Sequence, residues 1–254
     1  MTRTSEKRHW DAFWASSGHV EDIYANDGRI VEFLAERVDL RGGRVLEVGA
    51  GTGRDAAALG ERGAEVWTLD YSEESLRLMR ENLGGSVRIV CGDALALPLA
   101  TGTFDVVYHQ GLLEHFRDPG ALLAENRRVL RPGGWLLVDV PQRFHYYTLI
   151  KRALIRMDRW FAGWETEFSP GRLRALVRDA GFEVEAMYGC NLYPPVWYRG
   201  MRRVLLGRGL RLPMNLPGTS WLAPLGRRLR AALPERIRLG TSMVIGCLGR
   251  KREA

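Results

Sequence analysis

An acidic residue and three closely spaced glycines are the first residues whose types and spacing could do chemistry. Glu47 lies in a short apolar run, and Gly49, Gly51 and Gly53 follow it with the spacing G-x-G-x-G. A dinucleotide turn instead has the spacing G-x-G-x-x-G and presents a helix N-terminus to an anionic pyrophosphate. A carboxylate two residues before the first glycine would repel a pyrophosphate and attract an ammonium or sulfonium group. The pattern therefore favours a nucleotide-like cofactor that carries a positive charge.

A second acidic residue, Asp70, ends the next apolar run, 17 residues after Gly53. A carboxylate at the carboxyl end of a strand can accept hydrogen bonds from both hydroxyls of a ribose. This feature suits either kind of cofactor, so it indicates a ribose without deciding between them. The alternative role for Asp70 is to cap the helix that follows.

Alternating strands and helices between residues 44 and 141 must position these side chains. Apolar strands such as "RVLEVG" and "EVWTLD" are separated by helical segments such as "SEESLRLMRENLGG". Such strands predict an α/β fold with a parallel sheet covered on both faces, and right-handed crossovers make it doubly wound. Ser72, Asp118 and the serine of "SPGRLRALVRDAG" are predicted helix caps, and "RPGG" at 131–134 is predicted to stop a helix before the strand "WLLVDVP". After Pro141 the regular alternation ends.

Several of these segments together resemble a known family. "LEVGAGTGR", "TLDYSEESL" and "GDALALPLATGTFDVVYHQGLLEHFRDPGALLAENRRVLRPGGWLLVDVP" look like the class I S-adenosylmethionine-dependent methyltransferases, particularly the subgroup that includes quinone-biosynthesis methyltransferases. The resemblance covers residues 44–141 and departs from the family pattern at Leu99, where an aromatic residue is usual. It implies a Rossmann-like, mostly parallel seven-stranded sheet of order 3-2-1-4-5-7-6, with "TSMVIGCLG" as the antiparallel last strand.

The resemblance also implies S-adenosyl-L-methionine as cofactor and assigns contacts to it. The methionine part would lie against Glu47, Gly49, Ala50, Gly51 and Gly53. Asp70 would hold the ribose, and Tyr71 would lie beside the adenine.

Two further contact regions follow the third and fourth strands. Asp93, with Ala94 after it, would meet the adenine amino group. Gln110 and Gly111 would border the methionyl chain and the reacting methyl group. No metal is expected.

Methyl transfer from a sulfonium is an in-line displacement, so holding donor and acceptor close together away from water supplies much of the catalysis. A hydroxyl acceptor would benefit from a base, and the candidates are His109, His115 and His145, with Tyr146 and Tyr147 as positioning groups. His145 is the predicted base because it follows the fifth strand, where an acceptor pocket should open. The alternatives are a solvated loop position for His145 and a structural role for His115.

Three regions of the chain are predicted. Residues 1–43 would form an N-terminal helical lid, with Trp10, Phe13, Trp14 and Tyr24 either shielding the cofactor or packing in the core. Residues 44–189 and 240–250 would form the methyltransferase core. Residues 190–239 would form a basic insertion before the last strand.

The basic insertion concentrates the positive charge of a chain whose net charge is +7. Between 199 and 238 there are ten arginines and one acidic residue, mixed with Leu, Val and Trp. Basic amphipathic helices on an anionic membrane would explain this mixture and would suit a lipid-like or other small-molecule acceptor. RNA is a less favoured partner because the aromatic residues are not interleaved as a base-stacking surface requires. A solvated surface that covers the substrate pocket is the remaining alternative.

The apolar runs and the cysteines indicate where in the cell the protein resides and which kinds of site it lacks. No apolar run reaches the roughly 18 residues that span a bilayer, and the basic opening residues lack a signal-like apolar segment, so we expect a cytoplasmic protein or one peripheral to the inner face of a membrane. Cys91, Cys190 and Cys247 are far apart, which indicates buried small side chains rather than disulfides or a zinc site. A nicotinamide-dependent oxidoreductase and a non-catalytic membrane- or RNA-associated module stay open as alternative functions.

Overall fold

Seven strands form one sheet in the order β3-β2-β1-β4-β5-β7-β6, as predicted. The computed structural model describes residues 6–16, 28–83, 85, 87–160, 162–192, 196–213, 229–230 and 232–253. The strands are β1 (Arg44–Val48), β2 (Glu65–Asp70), β3 (Val87–Cys91), β4 (Phe104–Gln110), β5 (Leu130–Pro141), β6 (Phe182–Cys190) and β7 (Val244–Lys251). Strands β1 to β5 pair in parallel, and β7 runs antiparallel to both β5 and β6. The antiparallel last strand is therefore confirmed, shifted by a few residues.

Nine α-helices surround the sheet in the described part of the chain. They are α1 (Lys7–Ser16), α2 (Arg29–Ala35), α3 (Arg54–Glu61), α4 (Glu73–Asn82), α5 (Pro119–Val129), α6 (Tyr146–Arg156), α7 (Pro170–Asp179), α8 (Val196–Leu206) and α9 (Glu235–Gly240). The predicted caps are confirmed, because Ser72, Asp118 and Ser169 each accept a backbone N–H of the first helical turn with their side-chain oxygen. Such bonds satisfy donors that the helix itself leaves unpaired.

Apolar side chains on both faces of the sheet form the core. Leu46 and Val48 of β1 point into one layer, and Val45 points into the other. This arrangement explains why the parallel strands are apolar at nearly every position. Cys247 is buried in the core, but Cys91 is exposed at the end of the edge strand β3, so the prediction of a buried thiol there is wrong.

Two local differences from the sequence prediction have physical causes. Helix α5 does stop before "RPGG", but β5 begins at Leu130 rather than at Trp135. A register shift between the pairs Phe104–Leu130 and Val106–Trp135 absorbs the extra residues, with Gly133 at φ 71°. Helix α6 lies where the sequence showed no regular pattern, because its large apolar side chains face solvent rather than the core.

Candidate cofactor and acceptor site

The glycine turn joins β1 to α3 in a backbone conformation that disfavours any residue with a side chain. Gly49, Gly51 and Gly53 have φ angles of 68°, 58° and 70°, which L residues rarely adopt. A Cβ on Gly49 would lie 2.9 Å from Leu112 Cδ1, and one on Gly51 would lie 2.6 Å from Trp14 Cζ2. The three glycines are therefore required by backbone conformation and by close neighbours.

Glu47 lies buried on β1, directly before this turn. Burial raises the pKa of its carboxyl well above the ordinary value, and the nearby Asp55 carboxylate raises that pKa further. The Tyr108 hydroxyl and the Ala56 N–H approach this carboxyl and lower its pKa in part, while Oε2 has no hydrogen-bond partner within the described residues. A buried carboxylate oxygen without a donor fits a cationic ligand group, which is the feature that separates a sulfonium nucleotide from a pyrophosphate.

Asp70 connects the end of β2 to the glycine turn. Its Oδ2 accepts the backbone N–H of Gly51 at 3.0 Å, and its Oδ1 accepts that of Ser72 at 3.0 Å. Burial raises the pKa of the carboxyl, while these two hydrogen bonds act in the opposite direction. The helix cap of α4 is Ser72, so Asp70 is not the N-cap. Asp70 thus lies where it can hold both the turn and a ribose.

The residues predicted to border the adenine lie farther along the same edge. Tyr71 is partly exposed, and the pKa of its hydroxyl is raised by burial and by the carboxylates of Asp70, Asp11 and Asp93. Asp93 is exposed after β3, and its Oδ1 accepts the N–H of Leu95 at 2.9 Å. Ala94 is partly buried in the same turn. The structure places Tyr71 and Asp93 within electrostatic reach of each other.

The end of β4 meets the glycine turn from the other side. Gln110 pairs in register with Asp139 of β5, and the Gly111 N–H donates to the Asp139 carbonyl at 2.9 Å. The next residue, Leu112, lies against Gly49. The loop after β4 therefore adjoins the predicted methionine site, as the assignment of Gln110 and Gly111 requires.

Helix α1 covers this edge of the sheet. The Trp10 ring packs edge-on against His115, with ring centroids 4.7 Å apart, and Trp14 lies over Gly51. The Ser72 hydroxyl donates to Asp11 Oδ1 at 2.6 Å. These contacts link α1 to the ends of β1, β2 and β4, whereas Tyr24 lies outside the described residues.

Comparisons with known proteins agree with this geometry. A family profile described as a methyltransferase domain matches residues 46–138. The ubiquinone biosynthesis O-methyltransferase of Bordetella bronchiseptica is 31% identical over 195 residues, which cover 72% of this chain and 80% of that protein. The chain belongs to the S-adenosylmethionine-dependent methyltransferases. S-adenosylmethionine is therefore the cofactor of this methyltransferase. The alternative function of a nicotinamide-dependent oxidoreductase is wrong.

Solved structures share the fold of this methyltransferase. A chain from a complex between the Haloferax volcanii Trm112 methyltransferase activator and a methyltransferase has a TM-score of 0.67 at 20% identity, covering 96% of this chain and 98% of that one. A Thermotoga maritima SAM-dependent methyltransferase has a TM-score of 0.63 at 20% identity, covering 97% and 98%. At these identities the likeness concerns the fold alone.

The residues present fit the cofactor. The glycine turn and Glu47 would hold the methionine part, and Asp70 would hold the ribose. S-adenosylmethionine, when bound, supplies a methyl group on a cationic sulfur. The protein's own contribution would be to orient this group beside the loop after β4 and, through α1, to exclude water. No group of His, Cys, Asp and Glu that could hold a metal occurs in the part of the chain that the structure describes.

The three candidate histidines of the methyltransferase occupy different surroundings. His109 is fully buried within β4, and burial lowers its pKa to about 3. His115 packs against Trp10, and burial also lowers its pKa. His145 is the N-cap of α6, with its Nδ1 accepting the N–H of Tyr147 at 3.3 Å.

The capping position of His145 limits its chemistry. Burial and the charges of Arg230 and Arg199 lower its pKa, which favours the neutral ring. A neutral imidazole whose Nδ1 accepts a hydrogen bond carries its proton on Nε2, so neither nitrogen is available as a proton acceptor. The catalytic role of His145 stays a prediction, and this geometry favours a structural one.

Sequence reasoning missed a cluster of buried charges next to this site. Glu114 follows β4, while Lys151 of α6 and Glu165 and Glu167 come from the segment before α7. The only available signal was the acid beside His115 in the motif "LLEHF". Its partners lie about 40 to 50 residues away along the chain, so only the fold brings them together.

Proposed function

We propose that this methyltransferase transfers a methyl group to a hydroxyl oxygen of a small, lipid-like acceptor that it meets at an anionic membrane surface. The relative from Bordetella bronchiseptica carries the name of an O-methyltransferase, which supports the hydroxyl acceptor. The membrane surface and the lipid-like acceptor are supported by a second observation, the exposed apolar side chains of the neighbouring helices α6 and α8. We call these side chains together the docking face.

Helix α8 contributes a stripe of exposed apolar side chains. Trp197, Met201 and Val204 are 61%, 40% and 56% exposed, and their spacing of four and three residues places them on one side of the helix. Tyr198 is buried. Unlike the usual surface helix, α8 thus turns an apolar stripe toward solvent, as helices that lie in a membrane interface do.

Helix α6 and the loop before it carry further exposed apolar side chains. Phe144, Tyr146, Leu149 and Ile150 are all exposed, with Phe144 at 68%. The Arg199 guanidinium lies 5.7 Å from the centre of the Tyr147 ring, so α6 and α8 are neighbours. Exposed apolar side chains that are grouped in this way commonly mark an interaction surface.

Exposed arginines near the docking face favour binding to an anionic membrane surface. Arg208 and Arg211 are exposed just after α8, and Arg236 is exposed on α9. Each basic residue near an anionic bilayer contributes roughly 1 kcal/mol to binding. In the described residues no helix is long and apolar enough to cross a membrane. The proposed association is therefore peripheral.

Calorimetric titration with S-adenosylhomocysteine tests the cofactor assignments. We expect micromolar binding to the wild type, at least tenfold weaker binding to Glu47→Gln and Asp70→Asn, and no binding of NADH. Glu65→Gln is the control, because Glu65 begins β2 at the end opposite Asp70 and pairs with Arg44. Wild-type affinity in both site variants would remove these two residues from the cofactor site.

Vesicle co-sedimentation tests the docking face. We expect the protein to bind phosphatidylglycerol vesicles and to bind phosphatidylcholine vesicles far more weakly. A Trp197→Gln, Val204→Gln variant should bind at least tenfold more weakly, since two apolar side chains lose their contact with the acyl chains. Leu95→Gln changes an exposed apolar residue after β3 and should have no effect. Equal binding by all three proteins would contradict the docking face.

A further inference from the structure

Glu114 is a buried acid beside the predicted position of the reacting methyl group. It lies in the short turn after β4 and is 3% exposed. A Cβ on Gly111 would lie 3.6 Å from Glu114 Oε1. The backbone carbonyl of Glu114 accepts the N–H of Thr166 at 2.9 Å, which fixes the turn against the segment before α7. Glu114 is thus held at the edge where β4 and the glycine turn meet.

The other glutamates of this cluster are paired through both oxygens. Glu165 accepts from Lys151 Nζ at 2.7 Å and from Trp160 Nε1 at 2.6 Å. Glu167 accepts from the Arg152 guanidinium through Oε1 and Oε2. In contrast, Oε2 of Glu114 is buried and has no hydrogen-bond partner among the described residues.

An unpaired buried carboxylate oxygen is costly, and native structures usually supply it with a donor from the protein, a water or a ligand. Helix and strand contacts leave no donor for Oε2, although Lys151, a buried ammonium, lies in the same cluster. A hydroxyl of a bound molecule at the end of β4 would supply the missing donor. The same oxygen could then take the proton of that hydroxyl.

We propose that Glu114 is the proton acceptor for the acceptor hydroxyl in methyl transfer, a catalytic role that rests on the proposed function. In this step the acceptor oxygen forms a bond to the methyl carbon as the bond between that carbon and sulfur breaks. The hydroxyl proton passes to Glu114 Oε2. The cationic sulfur becomes a neutral thioether and the carboxylate becomes a neutral acid, so charge is conserved.

The electrostatic surroundings of Glu114 suit this role. Burial and the carboxylate of Glu165 raise its pKa well above the ordinary value, and the carboxylate of Asp139 adds to the increase. The backbone N–H of Glu114, which donates to its own carboxyl, and the ammonium of Lys151 act in the opposite direction. A raised pKa makes the carboxylate a stronger base, and it places the group nearer to the range in which general bases operate.

Glu114→Gln is the decisive variant because it keeps the shape of the side chain and removes its basicity. With catechol as the hydroxyl probe, we expect methylation by this variant to fall about 100-fold, within the range typical of a lost general base. The wild-type rate should decrease as the pH falls, since Glu114 becomes protonated, and this dependence should disappear in the variant. Glu114→Asp should recover part of the rate, and Glu65→Gln, at the far end of β2, should behave like the wild type.

Infrared difference spectra provide a measurement that does not depend on turnover. Adding catechol to the S-adenosylhomocysteine complex should change a carboxyl carbonyl band in the wild type, and this change should be absent in Glu114→Gln. An unchanged band, or equal rates and pH profiles in wild type and Glu114→Gln, would overturn the role of Glu114.

Titration with S-adenosylhomocysteine separates this result from the proposed function. If both proteins bind it equally and only methylation is lost in Glu114→Gln, the role of Glu114 is supported. If the wild type does not bind it, the cofactor assignment itself fails. If both bind it but catechol does not bind to either, the hydroxyl acceptor and with it the role of Glu114 are overturned.

Discussion

At the residue scale, a substitution in the glycine turn should change both the stability of the protein and its cofactor binding. Gly51→Ala places a Cβ 2.6 Å from the Trp14 ring and forces an L residue to φ 58°. We expect a loss of about 1–2 kcal/mol in the free energy of unfolding, the usual cost of this backbone region, and weaker binding of S-adenosylhomocysteine. Urea unfolding and calorimetry measure the two effects.

Gly171→Ala is the matched control for this substitution. Gly171 lies in α7, its φ angle is not positive, and no atom lies within 4 Å of a Cβ built there. Alanine should stabilise the helix by up to about 1 kcal/mol and leave cofactor binding unchanged. If both alanine variants change stability in the same direction, strain at Gly51 is not the cause.

The site was predictable from the sequence where its residues are local to a motif. Glu47 and Asp70 lie at the carboxyl ends of β1 and β2 and the glycines follow β1, so spacing alone places them at one edge of the sheet. Glu114 could not be recognised in this way because its partners Lys151 and Glu165 come from distant segments. The function of a buried charge depends on which neighbours remain unpaired, and this information exists only in three dimensions.

At the element scale, α1 gives a prediction about cofactor exchange. Trp14 lies over the glycine turn, and α1 is attached by Trp10, the Asp11–Ser72 hydrogen bond and an exposed ion pair between Lys7 and Glu73. Removing the ring in Trp14→Ala should speed the dissociation of S-adenosylhomocysteine about tenfold in stopped-flow measurements, because water gains access to the site.

The ion pair of α1 supplies the control for that experiment. Lys7→Ala removes only the exposed contact with Glu73, which solvent screens, and should leave dissociation nearly unchanged. Tighter binding by Trp14→Ala would contradict a covering role, because it would show that the ring occupies space the cofactor needs.

Elements were predictable where burial leaves a regular apolar pattern in the sequence. The parallel strands, which are buried on both faces, and the capped helices follow this rule, and the strand order that the family resemblance implied is confirmed. Helix α6 was not predicted, since Leu149 and Ile150 face solvent and Lys151 faces inward. The start of β5 was wrong because a register shift lets Leu130 pair with Phe104 before the regular ladder begins. Tertiary contacts therefore determine both the burial pattern of α6 and the start of β5.

At the scale of the whole molecule, three buried acids at one edge of the sheet couple stability to pH. The pKa values of Glu47, Glu114 and Asp70 are raised in the folded protein, mainly by burial. The folded state therefore binds their protons more tightly than the unfolded state does. The resulting stabilisation is present below the ordinary carboxyl pKa and is lost as the pH rises through the folded-state value.

His109 has the opposite effect. Its pKa is lowered from 6.5 to about 3 by burial, so its neutral form favours folding above pH 6.5 and this contribution is lost as the pH falls toward 3. A pH profile of the wild type alone would mix the two effects. A comparison of variants that all retain His109 separates them.

The double variant Glu47→Gln, Glu114→Gln isolates the two glutamates. From pH 5 to pH 8 the wild type should lose more unfolding free energy than the double variant, by about 1.4 kcal/mol for each unit by which each pKa is raised within that window. Urea unfolding at several pH values measures the difference, and Glu74→Gln with Glu125→Gln, two acids paired with arginines, is the control.

Parallel curves for wild type and double variant would show that both carboxyls titrate as if in water, which is incompatible with a closed, dehydrated edge between β1 and β4. Curves that diverge with rising pH would show that the protein keeps these two acids at the cofactor and acceptor edge at the expense of its own stability.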